Sequence, residues 1–136
     1  MVRKISVLDT TLRDGSQREG ISFSVEDKLR IARELDRLGV AYIEAGYPGS
    51  NPKEVEFFAR ARGLDLQQAR IAAFGNTRHA GVPVEEDDNI QALLEAGTSV
   101  AVIVGKSSPM QVEEVLRTSL AENLMMIRDT VAYLKA

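Results

Sequence analysis

The stretch VAYIEAGYPGSNPKE, residues 40–54, sets the architecture. Val40 to Glu44 is a short run rich in β-formers, too short to be a helix of its own. Gly46, Pro48, Gly49 and Ser50 then form a loop. Asn51-Pro52-Lys53-Glu54 reads as helix cap, first-turn proline and capping-box acid. The helix this opens runs to about Arg62 and stops at Gly63. Strand, loop and capped helix in about 25 residues form one βα unit, and the same unit recurs on both sides of it.

Upstream, Ile5 to Leu8 is a strand ending at Asp9, and Val25 to Leu38 is a helix. Ser24 caps that helix, with Asp27 three residues on in place of the usual Glu or Gln. Leu29, Ala32, Leu35 and Leu38 make its apolar stripe, and Gly39 stops it. Downstream, Arg70 to Phe74 is the third strand, and a helix from about Asp88 to Ala96 ends at Gly97. Thr98 to Val104 is the fourth strand, closing on Gly105. Ser108-Pro109 starts a helical piece, with a break near Thr118. Ser119 to Glu122 is a second capping box, and the last helix carries Leu124, Ile127, Val131 and Leu134 on one face. Four βα units at this spacing predict an α/β fold with a parallel sheet and right-handed crossovers. A doubly wound open sheet and a barrel both satisfy the pattern.

The bulk composition excludes several functions. The 136 residues carry a formal net charge of −3 with both signs interspersed. A nucleic-acid groove or an anionic-membrane patch needs clustered Lys and Arg, so neither partner is expected. With no cysteine, disulfides and thiolate metal sites are ruled out. The apolar runs are too short to span a bilayer. No secretory signal is visible, and a cytoplasmic location is expected.

The first strand–helix loop, Asp9 to Gly20 (DTTLRDGSQREG), holds the chemistry-bearing candidates. It falls at the C-terminal face of the sheet, where barrels and doubly wound sheets both place their sites. Arg13 offers a planar fork of donors that can grip a carboxylate in two places. Asp14 offers hard oxygens suited to Mg²⁺ or Mn²⁺. From residue type alone, the reading the loop favours is a solvated ion pair at the surface. Glu44 ends the second strand, as a second acid near the substrate or as a buried partner of Arg13 or a lysine. Asp9 reads as a structural carboxylate accepting loop amides. Asn76 and Thr77 follow the third strand and either contact substrate or the pantetheine of coenzyme A, or cap backbone. Arg78 and Lys106 read as surface cations, and His79, the single histidine, is not taken as a metal ligand.

The run Leu12-Arg13-Asp14-Gly15-Ser16-Gln17 resembles the signature of the acetyl-CoA-dependent condensing enzymes, the isopropylmalate, homocitrate and citramalate synthases. Residues 43–52, 73–78 and 105–107, then 114–118, resemble the citramalate branch in order along the chain. The resemblance implies the first four βα units of a (β/α)₈ TIM barrel, a half-barrel over residues 1–136. The later strands and a C-terminal regulatory domain would lie elsewhere. It implies an acyltransferase joining acetyl-CoA to a 2-oxo acid, with pyruvate as acceptor and citramalate as product, in branched-chain (isoleucine) amino-acid biosynthesis. It makes Asp14 a ligand to Mg²⁺ or Mn²⁺, Arg13 the catalytic and substrate-binding residue, and Gln17 a support of the pocket. Glu44, Asn76 and Thr77 join the substrate-binding set. The family's His-x-His metal motif is not found in these 136 residues, so the chain alone is expected to be inactive. The runner-up readings are an isopropylmalate synthase acting on 2-oxoisovalerate, and a half-barrel that self-associates as a homo-oligomer. In the latter, Val7, Tyr42, Ile71 and Val102 would be buried between copies.

Overall fold

A computed structural model describes residues 3–136. Four parallel strands form one sheet in the order β1 (Leu8–Asp9), β2 (Tyr42–Gly46), β3 (Arg70–Asn76), β4 (Val100–Val104). They alternate with α1 (Val25–Leu38), α2 (Pro52–Ala61), α3 (Asp88–Glu95) and α4 (Leu120–Lys135). A doubly wound sheet reverses its strand order partway. Here the order is sequential, and right-handed crossovers between sequential neighbours bring every helix to one face. Such a curved sheet, with its helices outside, is the first half of a (β/α)₈ barrel.

The core lies between sheet and helices. Ile43, Ala45 and Ala73 from the strands meet Leu29 and Ala32 of α1, Phe57 and Phe58 of α2, and Ile90 and Leu93 of α3. Each large apolar side chain buried this way contributes about 1.5–3 kcal/mol. Alanines and Gly75 keep the sheet side thin. A Cβ on Gly75 would lie 2.7 Å from the Leu93 side chain, so α3 sits directly on β3.

The α1 capping signals hold at both ends. Ser24 and Asp27 form the reciprocal capping box, and Gly39 closes the helix at φ 87°. At α2, Asn51 Oδ1 accepts from Glu54 N at 3.1 Å, but the Glu54 side chain does not return to the cap. It turns instead to Lys28. The second box behaves alike: Ser119 caps Glu122 N, while the Glu122 carboxylate goes to Arg78.

Four expectations require correction. The first strand is Leu8–Asp9, not Ile5–Leu8, because β1 has a neighbour on one side only and its early residues stand in solvent (Ile5 83% exposed). Leu38 is exposed and leaves the α1 stripe, which instead includes Val25 and Lys28. Ile71 packs against the helix-side core and is not available to a partner copy across the barrel interior. In α4 the buried residues are Asn123, Met126 and Thr130, while Leu124 and Val131 are exposed. Polar satisfaction sets that rotation. Asn123 Nδ2 donates to Lys106 O at 2.9 Å, and Thr130 Oγ1 accepts from Arg78 N at 2.9 Å. The Arg78 amide is buried and the Lys106 carbonyl half-buried, so both need partners.

Between β4 and α4 the expected helical piece is a π-helical turn, Gln111–Val115, and Arg117 at φ 53° makes the break beside Thr118. No helix among the described residues is long and apolar enough to cross a membrane.

One carboxylate joins the end of α1 to the start of β3. Buried Asp36 accepts from Gln67 N, Gln68 N and Ala69 N at 2.7–3.0 Å. The Ala69 bond and then the other two hold its carboxyl below the usual aspartate value. A folded value below the unfolded one means stabilisation that is present above the unfolded value and lost as pH falls through the folded one. Asp36→Asn is therefore expected to lower the urea midpoint at pH 7 and to shrink the further loss as pH falls below the ordinary aspartate value of about 4. Paired denaturation curves at pH 7 and in acid check it.

Candidate active site

Loop 10–17 is wound around one carbonyl. Thr10 O accepts from the amides of Arg13, Asp14 and Gly15 at 2.9–3.2 Å. Asp9 accepts from Thr11 N at 2.9 Å and Thr11 Oγ1 at 3.0 Å, which is the structural role expected of it. Leu12 is fully buried in the core. Pinned on both sides of the turn, the loop presents Arg13 over the ends of β2 and β3.

There Arg13 meets three groups. Its Nε donates to Glu44 Oε1 at 2.6 Å, and Nη1 donates to Asp14 Oδ1 at 3.2 Å. Its guanidinium carbon lies 4.1 Å from the centroid of the Phe74 ring. Glu44 is 2% exposed, so it is the buried partner of Arg13. A guanidinium has five N–H donors. Two are engaged here, and three have no protein partner among the described residues. Those three belong to a group that borders a cavity of about 320 Å³, with Gln17, Tyr47, Ser50 and Phe74 also in its wall.

Under this cavity lies a pair that sequence reading missed. Lys28 is 2% exposed, and its Nζ sits 2.7 Å from both Glu54 oxygens. Burial pulls the lysine below its ordinary value, while the Glu54 hydrogen bond and charge work the other way. Gly46 makes room for the pair, because a Cβ there would lie 1.7 Å from Glu54 Oε2. The register between β2 and β3 also slips between Glu44 and Gly46. Bulges beside functional sites re-aim side chains, and here the slip follows directly on Glu44. A signal was present in the sequence: Lys28 falls on the apolar face of α1, between Val25 and Ala32.

The other candidates divide. Asn76 is exposed and its Nδ2 lies 3.4 Å from Tyr47 Oη, but it does not line the Arg13 cavity and belongs with Thr77 to a second one. Thr77 is buried and is not brought to Arg13; it lines that second cavity, of about 300 Å³, with Lys106 and His79. Arg78 is not a surface residue. It is 5% exposed, with Glu122 at 2.8 Å and Asp129 at 2.8 Å, and it ties loop 77–81 to α4. A cation can be buried there because both carboxylates neutralise it. His79 Nδ1 lies 2.7 Å from Asp87 Oδ2. Burial of Asp87 works to raise its carboxyl, but the hydrogen bonds from His79 hold it below the usual range.

For a divalent metal the fit is incomplete. Among the described residues no three His, Asp or Glu side chains converge on one point. Asp14 is a single exposed carboxylate with one oxygen turned to Arg13. Mg²⁺ bound by one carboxylate is held weakly, so these residues do not make a metal site by themselves.

The sheet has barrel order, with an Arg-Asp pair in the loop after β1 and an acid at the middle of β2. The chain belongs to the HMGL-like family, whose profile matches residues 4–136. It is 56% identical to the (R)-citramalate synthase of Streptomyces coelicolor, over 96% of this chain and 24% of that protein. It is 33% identical to the 2-isopropylmalate synthase of Streptococcus gallolyticus, over 99% of this chain and 25% of that protein. The chain thus spans about a quarter of the length of these curated relatives. The crystal structure of hydroxymethylglutaryl-CoA lyase from Pseudomonas aeruginosa shares the fold. Its TM-score is 0.70 at 22% identity, over 97% of this chain and 42% of that one.

Proposed function

We propose that these residues form the first half of the catalytic barrel of an acyltransferase that condenses acetyl-CoA with a 2-oxo acid. The observation that carries the reading is Arg13: a guanidinium clamped by Glu44 and Asp14, stacked on Phe74, with three donors left for a ligand. A planar fork of this kind suits a carboxylate and the keto oxygen beside it. Pyruvate is the proposed acceptor and citramalate the product. The greater identity to a citramalate synthase than to an isopropylmalate synthase supports that choice over 2-oxoisovalerate. The pathway is then branched-chain amino-acid biosynthesis, in the cytoplasm.

In the proposed reaction a base takes a methyl proton from acetyl-CoA. The resulting carbanion forms the new C–C bond to the keto carbon, and the keto oxygen gains a proton to become the hydroxyl. Water then splits the thioester and releases coenzyme A. Arg13 binds and orients the acceptor, and its free N–H groups face the oxygen on which negative charge grows. Glu44 anchors the guanidinium at Nε. Gln17 borders the cavity and completes the acceptor pocket, and Asn76 reaches it only through Tyr47 Oη. Thr77 stands in the neighbouring cavity, where it belongs to the coenzyme rather than to the acceptor. Asp14 would contribute one ligand to a Mg²⁺ or Mn²⁺ ion, which would polarise the keto carbonyl, with its other ligands supplied from outside these 136 residues.

The 136-residue chain mixed with acetyl-CoA, pyruvate and Mg²⁺ is expected to release no coenzyme A above background, because half the site is missing. Citramalate made by this chain alone would refute the half-site reading. In the longer synthase, steady-state assays with pyruvate, 2-oxoisovalerate and 2-oxoglutarate decide the acceptor, and a clear preference for 2-oxoisovalerate sinks pyruvate.

The sheet favours a second reading. β1 and β4 each pair on one side only, and unpaired edges template further pairing. On this reading the chain self-associates as a homo-oligomer without activity of its own. Sedimentation with and without Mg²⁺ separates the two. A dimer indifferent to metal supports the inert module. Metal binding abolished by Asp14→Ala supports a working site.

A further inference from the structure

We propose that Tyr47 is a positioning residue, holding the Phe74 ring and through it the plane of the Arg13 guanidinium. This rests on the reading of Arg13 given above, and adds a residue which that reading did not use.

Tyr47 is itself held on several sides. Its carbonyl accepts from Ser50 N at 3.0 Å and from Ser50 Oγ at 2.7 Å, so the loop after β2 is tightly turned. A Cβ on Gly49 would come within 3.1 Å of Tyr47 Cε2, so the ring lies folded back over that glycine. Its hydroxyl lies 3.4 Å from Asn76 Nδ2, at the end of β3. The ring then meets Phe74 edge to face, at 5.9 Å between centroids and 83° between planes. This is the geometry that aromatic quadrupoles prefer.

Phe74 in turn carries Arg13 on its face at 4.1 Å. A cation above an aromatic face is attracted to it, but a phenylalanine free to rotate fixes nothing. The perpendicular contact with the Tyr47 ring is what restrains the Phe74 ring. Glu44 fixes Arg13 firmly at Nε, while the second bond, from Nη1 to the exposed Asp14, is longer at 3.2 Å. Phe74 adds the constraint on the face of the guanidinium, and Tyr47 supports it. A bidentate grip needs the plane held as well as the edge, since a small tilt misplaces one of two parallel hydrogen bonds. The hydroxyl is the weakest part of this arrangement, its bond to Asn76 being long. The ring is therefore what acts.

The test reads Arg13 directly. In ¹H–¹⁵N spectra of the 136-residue chain, the Arg13 Nε–H bonded to Glu44 is expected to be resolved, slowly exchanging and shifted by the Phe74 ring current. Tyr47→Phe should keep that signal. Tyr47→Leu, which retains bulk but has no aromatic edge, should broaden it or return it to the bulk arginine position, with hydrogen exchange at least tenfold faster. Pyruvate titrated into the same samples should bind Tyr47→Leu at least fivefold more weakly than Tyr47→Phe. If Tyr47→Leu is folded and its Arg13 signal matches the parent's, the proposal is overturned; loss of the signal in Tyr47→Phe overturns it too. Should Tyr47→Leu not fold, Tyr47→Met replaces it under the same criteria. Failure of pyruvate to perturb even the parent chain would count against the acceptor reading alone, because the Nε–H signal is measured without ligand.

Discussion

Gly46→Ala is expected to destabilise this chain by about 3 kcal/mol or more, the scale of a broken buried ion pair. The added methyl would lie 1.7 Å from Glu54 Oε2 and 3.0 Å from Lys28 Nζ. Side-chain ends move easily at a surface, but these two are enclosed and hold each other. Glu54 has to swing out, and Lys28, 2% exposed, is then left without its counter-charge. Against a total stability of roughly 5–15 kcal/mol such a loss is severe. A urea midpoint within 0.3 M of the parent would show that the pair can relax around the methyl. The substitution should also disturb Glu44, two residues back across the strand irregularity, so the Arg13 environment is expected to change with it.

The second large effect is at Arg13. In a synthase that retains residues 1–136 intact, Arg13→Lys is expected to lower kcat/KM for the 2-oxo acid by about 10²–10³-fold, as removal of one well-placed donor does elsewhere. Lysine keeps the charge and loses the fork. An ammonium cannot bond Glu44 through one nitrogen while offering others to a ligand, nor can it lie flat on Phe74. KM for acetyl-CoA should change far less. A loss below about fivefold, measured by steady-state kinetics with pyruvate varied, would mean that Arg13 only balances the charge of Glu44.

Much of the fold could be read from local signals. Ser24, Asp27 and Gly39 bound α1 as expected, and Asn51 and Pro52 open α2. Such signals act within a few residues, so they survive whatever the rest of the chain does. The failures lie where distant groups compete for the same side chain. Glu54 and Glu122 have the spacing of capping-box acids, yet cations on other elements, Lys28 and Arg78, draw them away. The choice between barrel and open sheet could not be made from βα alternation, since both share it; the order of strand pairing decides it.

At the site, Arg13, Asp14, Gln17 and Glu44 were legible from residue type and strand-end position together with the family resemblance. Their grouping after β1 and on β2 follows from parallel pairing. The burial of Arg78 was not legible, because its partners lie 44 and 51 residues further on. The aromatic set of Tyr47 and Phe74 was present as letters without a geometry. A strand-end Phe and a loop Tyr become an edge-to-face pair only once β2 and β3 are in register.

The rotation of α4 has a consequence for how this chain tolerates change. Ordinarily a helix guards its leucines and lets its polar residues drift. In α4 Asn123 and Thr130, each bonded to a strand-end loop, share the internal face with Met126, while Leu124 and Val131 stand outside. At these positions the tolerance of α4 to substitution runs opposite to hydrophobicity. Exchanging Leu124 for a polar residue should scarcely register in the melting temperature. Exchanging Thr130 for valine, almost the same shape, deprives the buried Arg78 amide of its acceptor and should cost about 1–3 kcal/mol. A hydropathy profile would rank those two substitutions in the opposite order.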